Sequence, residues 1–181
     1  MRSRTAEVAG YAKQPPPTMG PARRMGTIGI SELVTPERIH LDASAGSKRQ
    51  LFQHLAKVAA DATGLDAQEI GLALLGRERL GTTGIGDGIA IPHAKVKGLP
   101  HLIGFFVRMN EPVDYDSLDH QPVDLVFLLL APEGEQGDQL KALARVARLL
   151  RDPDRRRELQ QAGAVARVQE LLGGRDVPPY A

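Results

Sequence analysis

Apolar side chains recur every three to four residues over two consecutive segments in the first half of the chain. Ser47 and Gln50 precede the first segment with the spacing of a capping box, and Thr63-Gly64 closes it. Asp66 opens the second segment, which runs towards Gly76. The pattern predicts two successive amphipathic helices. Their buried stripes are Leu51, Leu55, Val58, Ala59 and Ala62 in the first, and Ile70, Ala73 and Leu74 in the second.

Three apolar runs lack helical spacing and predict β-strands. Ile89 to Ile91 is short and rich in β-branched residues, and the other two runs are residues 102–108 and 123–130. The run at 123–130 is nearly continuous, which indicates a strand buried on both faces of a sheet. Residues 110–121 between the last two runs are polar and turn-rich.

Helical spacing returns for three more segments after residue 136. The first has its predicted buried face at Leu140, Leu143, Ala144, Ala147 and Leu150. Asp152-Pro153 combines an N-cap with an N1 proline and starts a helix to about Gln161, and a last helix covers residues 164–172. Helices and strands alternate without long linkers or repeats. We therefore predict a single α/β domain over residues 26–175.

The first 25 residues differ from the rest of the chain. They contain Pro15-Pro16-Pro17 and scattered arginines, without apolar periodicity. Such a segment cannot bury enough apolar surface to offset the entropy lost on ordering. We expect residues 1–25 to be a disordered tail, or a mis-assigned start that precedes the natural first residue, Met25.

Composition narrows the possible classes of function. The chain has 181 residues with a net charge of +1 and 4% aromatic residues, which argues against nucleic acid as a partner. Cysteine is absent, so disulfides and thiolate chemistry are excluded. The longest apolar run is too short for direct membrane insertion, and the N-terminus shows no apolar signal segment. We expect a cytoplasmic protein.

Candidate chemistry concentrates in residues 81–93. Four glycines, Gly81, Gly84, Gly86 and Gly88, stand within eight positions, and glycine lets a backbone bring N–H groups close to an anion. The short strand follows and leads to Pro92 and His93. We predict that His93 lies at the end of this strand, beside a loop rich in hydrogen-bond donors.

These residues favour a phosphoryl carrier. A neutral imidazole can attack phosphorus without a metal, and the resulting phosphohistidine can pass the group on. The predicted phosphoryl-binding groups are the hydroxyls of Thr82 and Thr83 and the backbone amides of residues 84–88, including Gly84, Gly86 and Gly88. Arg77 is the expected cationic partner, because its planar fork can hold two phosphoryl oxygens; Arg79 is an alternative.

Other kinds of site find no support in the sequence. His40, His54, His101 and His120 lack metal-ligand spacing. The glycine loop matches neither the Walker A pattern nor the dinucleotide-binding glycine pattern. We expect no metal and no cofactor.

At residues 77–93 the sequence resembles the mannitol/fructose-type enzyme IIA domain of the bacterial phosphotransferase system, and in particular its nitrogen-regulatory branch. Residues 119–125 match a second block of that family and residues 140–150 a third, and the similarity extends over about residues 28–172. The resemblance implies a mixed β-sheet flanked by helices on both faces. It also implies that Arg77 and His93 are the active-site pair and that Thr83 lies in the conserved loop.

The resemblance further implies that His93 accepts a phosphoryl group from an HPr-like phosphocarrier protein. Such a protein is an enzyme only as a phosphoryl-transfer component and turns over no small molecule by itself. The chain ends after one domain, which favours the regulatory branch, whose targets include potassium-transport components and sensor kinases.

Gln139 departs from the family pattern, which usually has a second histidine at this position. Glutamine can donate a hydrogen bond to a phosphoryl oxygen but cannot carry positive charge. Three hypotheses follow for the chain: a phosphocarrier and regulatory protein, a sugar-transport enzyme IIA that works with a separate IIB, and a partner-binding module that is never phosphorylated.

Overall fold

The computed structural model describes residues 29–134 and 136–174, and the predicted tail at 1–25 lies outside them. Six strands form one mixed sheet in the order β1-β5-β6-β3-β2, with β4 also paired to β6. The elements are α1 (Ile30–Leu33), a 3-10 turn (Pro36–Arg38), β1 (Ile39–Ala43), α2 (Lys48–Thr63), α3 (Ala67–Glu78), β2 (Gly84–Gly86), β3 (Ile89–Ala90), β4 (His93–Val96), β5 (Ile103–Val113), β6 (Val123–Pro132), α4 (Gln136–Arg151), α5 (Pro153–Gln161) and α6 (Val165–Gly173).

Strand β6 is the centre of the sheet. It pairs antiparallel with β5 and parallel with both β3 and β4, while β1 runs parallel to β5 on the far side. Its residues from Leu125 onward are buried, which confirms the strand predicted from the apolar run at 123–130.

Helices cover both faces of the sheet. The apolar sides of α2 and α3 pack with one set of strand side chains, including Phe105, Val126 and Leu128. The other set, including Phe106 and Phe127, packs with α1, α4, α5 and α6. The fold is therefore the predicted single-domain α/β architecture with a mixed sheet between two helical layers.

Local capping follows the sequence closely. The Ser47 hydroxyl accepts from the Gln50 N–H at 3.2 Å, and the Gln50 side chain accepts in turn from the Gly46 N–H at 2.7 Å. Gly64 ends α2 in the left-handed region at φ 72°, and Asp66 caps α3 through the Glu69 N–H. These contacts confirm the predicted boundaries between the first two long helices.

Two local predictions are wrong. Strand β5 continues to Val113, five residues beyond the predicted end and into the segment read as turn-rich. The predicted buried face of α4 is rotated, because Leu140 is 69% exposed and Ala144 is exposed. The side chains that α4 buries are Gln139, Ala142, Val146 and Leu150. Both stripes are largely apolar, so spacing alone did not reveal which one packs on the sheet.

None of the described helices is long and apolar enough to cross a bilayer.

Candidate active site

His93 is the first residue of β4, and not the last residue of the preceding strand as predicted. Pro92 separates β3 from β4 because it has no N–H for the ladder, and its carbonyl accepts from Leu129 at 3.0 Å. Ala94 and Val96 face the α2–α3 side of the sheet. Side chains alternate along a strand, so His93 faces the side on which α4 packs.

The His93 ring is held in one tautomer. Its Nδ1 lies 2.8 Å from the Ile91 carbonyl, which can only accept, so Nδ1 carries the proton. Nε2 therefore keeps its lone pair, and the Arg77 Nε–H donates to it at 3.0 Å. Burial lowers the pKa of His93 below the ordinary 6.5, and the positive charge of Arg77 lowers it further. The hydrogen bond to the Ile91 carbonyl raises the pKa but does not outweigh these two effects. The arrangement presents a neutral imidazole with Nε2 as its nucleophilic atom.

Arg77 is the cation that the fold brings to His93. It lies in the last turn of α3, and its Nη1 donates to the Gly81 carbonyl at 3.0 Å while its Nε contacts the imidazole. Arg79 forms the C-cap of α3, its side chain is exposed, and it has no hydrogen bond to His93 within the described part of the chain. The structure thus distinguishes between the two arginines that the sequence left open.

Thr83 takes part in a buried network under the glycine loop. Its N–H donates to both carboxylate oxygens of Glu78 at 3.0 and 3.2 Å, and its hydroxyl donates to Glu78 at 2.6 Å. Because that donation uses the single hydroxyl proton, the Tyr115 O–H donates to Thr83 Oγ1 at 2.7 Å. Lys48 completes the network with Nζ at 2.7 Å from Glu78.

The network determines which groups are charged. Burial raises the pKa of the Glu78 carboxyl, but hydrogen bonds from Lys48 and Thr83 outweigh this and hold it below the ordinary 4.5. Burial raises the pKa of the Tyr115 phenol, which stays protonated. The sequence did not point to Lys48, Glu78 or Tyr115. The available signal was Glu78 itself, an acidic residue directly beside the arginine of a candidate anion site.

The glycines divide into two groups. The Gly84 N–H donates to the Thr82 hydroxyl at 3.2 Å, and a Cβ on Gly84 would lie 2.4 Å from Ser117 Oγ, so glycine is required for close packing. Gly86 and Gly88 have φ of 96° and 78° and form the far turn of the β2–β3 hairpin. Glycine adopts such positive φ values at little cost, so these two residues allow the chain to turn here.

The far turn is not brought together with His93. Ile89 pairs with Leu125 and His93 pairs with Leu129, four residues further along β6. At about 3.3 Å per residue this separates the hairpin turn from His93 by roughly 13 Å. The residues near the imidazole are those at the other end of the hairpin, since the Ile91 N–H donates to the Thr83 carbonyl at 2.9 Å.

Gln139 lies in the first turn of α4 and is 8% exposed. Its helix packs on the face of the sheet towards which His93 points. In residues 29–134 and 136–174, no hydrogen bond connects Gln139 to His93 or Arg77, and no group of three acidic or histidine side chains could hold a metal ion.

Comparisons with known proteins point to one family. The family model for the EIIA 2 domain of the phosphoenolpyruvate-dependent sugar phosphotransferase system matches residues 32–173. A nitrogen regulatory protein of Bradyrhizobium diazoefficiens is 47% identical over 150 residues, which is 83% of this chain and 96% of that protein.

Solved structures support the same assignment. The crystal structure of the nitrogen regulatory protein IIA-Ntr from Neisseria meningitidis matches with a TM-score of 0.76 and 34% identity over 79% of this chain and 98% of that chain. The mannitol enzyme IIA of Escherichia coli, solved in complex with phosphorylated enzyme IIB, shares the fold with a TM-score of 0.66 at 22% identity, over 79% and 100% of the two chains. The chain belongs to the EIIA 2 family of the phosphoenolpyruvate-dependent sugar phosphotransferase system, in which it groups with the nitrogen regulatory proteins.

Proposed function

We propose that this protein accepts a phosphoryl group on Nε2 of His93 from an HPr-like phosphocarrier and regulates partner proteins according to its phosphorylation state. The observation that carries the proposal is the fixed tautomer of His93. Its Nδ1–H is bound to the Ile91 carbonyl, and the neutral Nε2 faces a guanidinium. A nucleophilic lone pair beside a cation is the pair of groups that phosphoryl transfer needs.

The transfer step exchanges one P–N bond for another. The Nε2 lone pair of His93 attacks phosphorus in line with the donor's ring nitrogen, which leaves with the electron pair of the broken bond. Arg77 donates to Nε2 before the reaction and turns its N–H groups to the phosphoryl oxygens as they arrive. The proton stays on Nδ1 and donates to the Ile91 carbonyl, which helps the ring to carry the positive charge that develops.

The remaining predicted phosphoryl-binding groups have different places in this proposal. Thr82 and Gly84 lie at the end of the hairpin near the imidazole, while Thr83 supports the loop from beneath through Glu78. Gln139 is the candidate donor from α4. Contact of Gly86 and Gly88 with the phosphoryl group would require the hairpin turn to move, so we assign them no role in the resting geometry.

Regulation follows from the charge that phosphorylation adds. A phosphohistidine carries nearly two negative charges, which changes the electrostatics of the surface around His93 and therefore the partners that can bind there. The expected partners are the HPr-like donor and target proteins of the kind named for the nitrogen-regulatory branch, potassium-transport components or sensor kinases.

Labelling of wild type and His93→Ala tests the proposal. Both proteins are incubated with phosphoenolpyruvate, enzyme I and an HPr-type carrier, and intact mass is read before and after mild acid. An acid-labile adduct on the wild type alone is the expected result. An equal adduct on His93→Ala would place the acceptor elsewhere, and no adduct on either folded protein would favour a binding module that is not phosphorylated.

A sugar-transport role is the second candidate function, because the structurally similar mannitol enzyme IIA was solved with its phosphorylated IIB. Transfer of label from the phosphorylated protein to a purified IIB domain distinguishes the two. Efficient transfer favours transport, and retention of the label on His93 favours the regulatory role.

A further inference from the structure

Two consecutive residues of α3 hold the two ends of the loop that leads to the hairpin. The Arg77 guanidinium binds the Gly81 carbonyl, and the Glu78 carboxylate binds the N–H and hydroxyl of Thr83. Because Arg77 and Glu78 share one helical turn, a shift of either end of the loop is transmitted to the guanidinium that contacts His93.

Lys48 balances the charge of Glu78. Its Nζ lies 2.7 Å from the carboxylate, and Glu78 is the more buried partner, with an 8% exposed side chain. Lys48 Nζ also lies 4.5 Å from the centroid of the Tyr115 ring, a cation–π contact that adds to the attraction of Glu78. Of the cations in the described residues, Lys48 alone forms a salt bridge with Glu78.

The sequence neighbour of Glu78 is the cation of the active site. If Lys48 were lost, the buried carboxylate would require another counter-ion, and the adjacent Arg77 is available. A guanidinium drawn towards Glu78 would leave Nε2 of His93 uncovered and would be absent when a phosphoryl group arrived. The uncompensated carboxylate would also repel that dianionic group.

We infer that Lys48 and Glu78 are positioning residues for phosphoryl transfer, which hold the Thr83 end of the loop and keep Arg77 on His93. The inference rests on the proposed function, since it assigns these residues a part in that reaction. Neither residue touches the imidazole, so each acts through Arg77 and Thr83.

The test uses Lys48→Met, Glu78→Gln and the double variant. Lys48→Met leaves the buried Glu78 carboxylate unpaired, and Glu78→Gln leaves the partly exposed Lys48 ammonium unpaired. The double variant removes both charges and keeps a side-chain oxygen that can accept from Thr83. Lys48→Arg is the conservative rescue. Lys57→Met is the matched control, because Lys57 forms an exposed pair with Asp61 on the same helix. Thr83→Val and Thr83→Ser provide a milder pair that leaves the charges intact.

Two readouts are needed. The first is the ring ¹⁵N NMR shifts of His93, which report its tautomer and the Arg77 hydrogen bond without any donor; the second is the rate of labelling through enzyme I and an HPr-type carrier. We expect Lys48→Met and Glu78→Gln each to change the Nε2 shift of His93. Each should also be phosphorylated about tenfold more slowly, because small displacements of positioned groups are costly. The double variant and Lys48→Arg should return to within about threefold of wild type, and Lys57→Met should match it.

The outcomes separate this inference from the proposed function. Unchanged His93 shifts in folded Lys48→Met and Glu78→Gln would overturn the inference even if the wild type is labelled. Altered His93 shifts in the single variants that return to the wild-type values in the double variant would support the positioning of Arg77. This holds even if no protein is labelled. Absence of labelling would instead count against phosphoryl transfer itself. If Lys48→Met or Glu78→Gln does not fold, the Thr83 variants decide. The inference would be overturned if Thr83→Val, Thr83→Ser and wild type had the same Nε2 shift and the same labelling rate.

Discussion

Arg77 covers Nε2 of His93, with 3.0 Å between Nε of the guanidinium and Nε2 of the imidazole. In the proposed reaction, the same contact places a cation where the phosphoryl group would be attached. A phosphoryl donor would then have to displace this hydrogen bond before attack.

Arg77→Lys should slow phosphorylation of His93 by about a hundredfold while leaving the protein folded. Lysine keeps the charge but cannot bind the Gly81 carbonyl and the imidazole at once with a planar fork. Loss of one preorganised donor to a transition state has an effect of this size in other enzymes. Labelling rates of Arg77→Lys, and of the exposed Arg79→Lys as control, measure it. Equal rates for Arg77→Lys and wild type would contradict the role.

His93 should titrate below pH 6.5, because burial lowers its pKa and the Arg77 charge adds to that effect. In the proposed reaction the nucleophile is the neutral ring, so the labelling rate should be constant at neutral pH and fall only as pH drops through the lowered pKa. A ¹⁵N titration of His93 measures the midpoint directly. Arg77→Met should move that midpoint to higher pH, and a midpoint above 6.5 in wild type would contradict the assignment.

Much of the fold could be predicted because the local chemistry in the sequence is the chemistry in the structure. Ser47, Gly64, Asp66 and Asp152 make the caps that their residue types suggest. The apolar run at 123–130 leads to a central strand because only a strand between two helical layers buries every side chain.

Some features of the site depended on tertiary packing that a single sequence does not display. Arg77 and His93 stood out by residue type. The structure separates Arg77 from Arg79 because Arg77, in the last turn of α3, contacts His93, whereas Arg79 is the C-cap of that helix. The distance of Gly86 and Gly88 from His93 follows from β-register, which glycine spacing does not encode. The link between Lys48 and Glu78 joins separate helices and could not be seen in the sequence.

Acid should destabilise the folded protein through a pair of histidines away from the site. His40 and His54 have ring centroids 6.4 Å apart, and burial lowers the pKa of both below 6.5. Repulsion between like positive charges lowers each pKa further, from His54 for His40 and from Lys57 for His54. The unfolded chain therefore binds more protons just below pH 6.5, so stability falls as pH decreases through that region.

Urea unfolding between pH 7.5 and 5.5 measures the effect. His54→Leu should reduce the slope of the free energy of unfolding against pH, while the same change at exposed His101 should not. A slope that His54→Leu leaves unchanged would assign the acid sensitivity to other groups.

Gly84→Ala should destabilise the protein by about 1–3 kcal/mol through overpacking. The added methyl group would lie 2.4 Å from Ser117 Oγ and 2.9 Å from Tyr115 Cδ1, beneath the loop that Thr83 anchors. Gly76→Ala in α3 is the matched control, because its Cβ meets nothing within 4 Å and the helix should gain about 0.5–1 kcal/mol. Chemical denaturation of both variants gives the two changes, and a stable Gly84→Ala protein would show that the loop can shift away.

Gln139→His should speed phosphoryl transfer to His93 or change the lifetime of the phosphohistidine. Gln139 is buried in the first turn of α4, on the face of the sheet towards which His93 points. Histidine there can carry a positive charge and donate to a phosphoryl oxygen, whereas glutamine offers only a neutral amide. Leu140→His is the control, since the neighbouring side chain is 69% exposed and its histidine would lie in solvent. Pulse labelling followed by decay of the adduct gives both rates for the three proteins. A change in Gln139→His alone would place residue 139 in the active site, and identical kinetics in all three would remove Gln139 from it and leave Arg77 as the principal group that stabilises the phosphoryl charge.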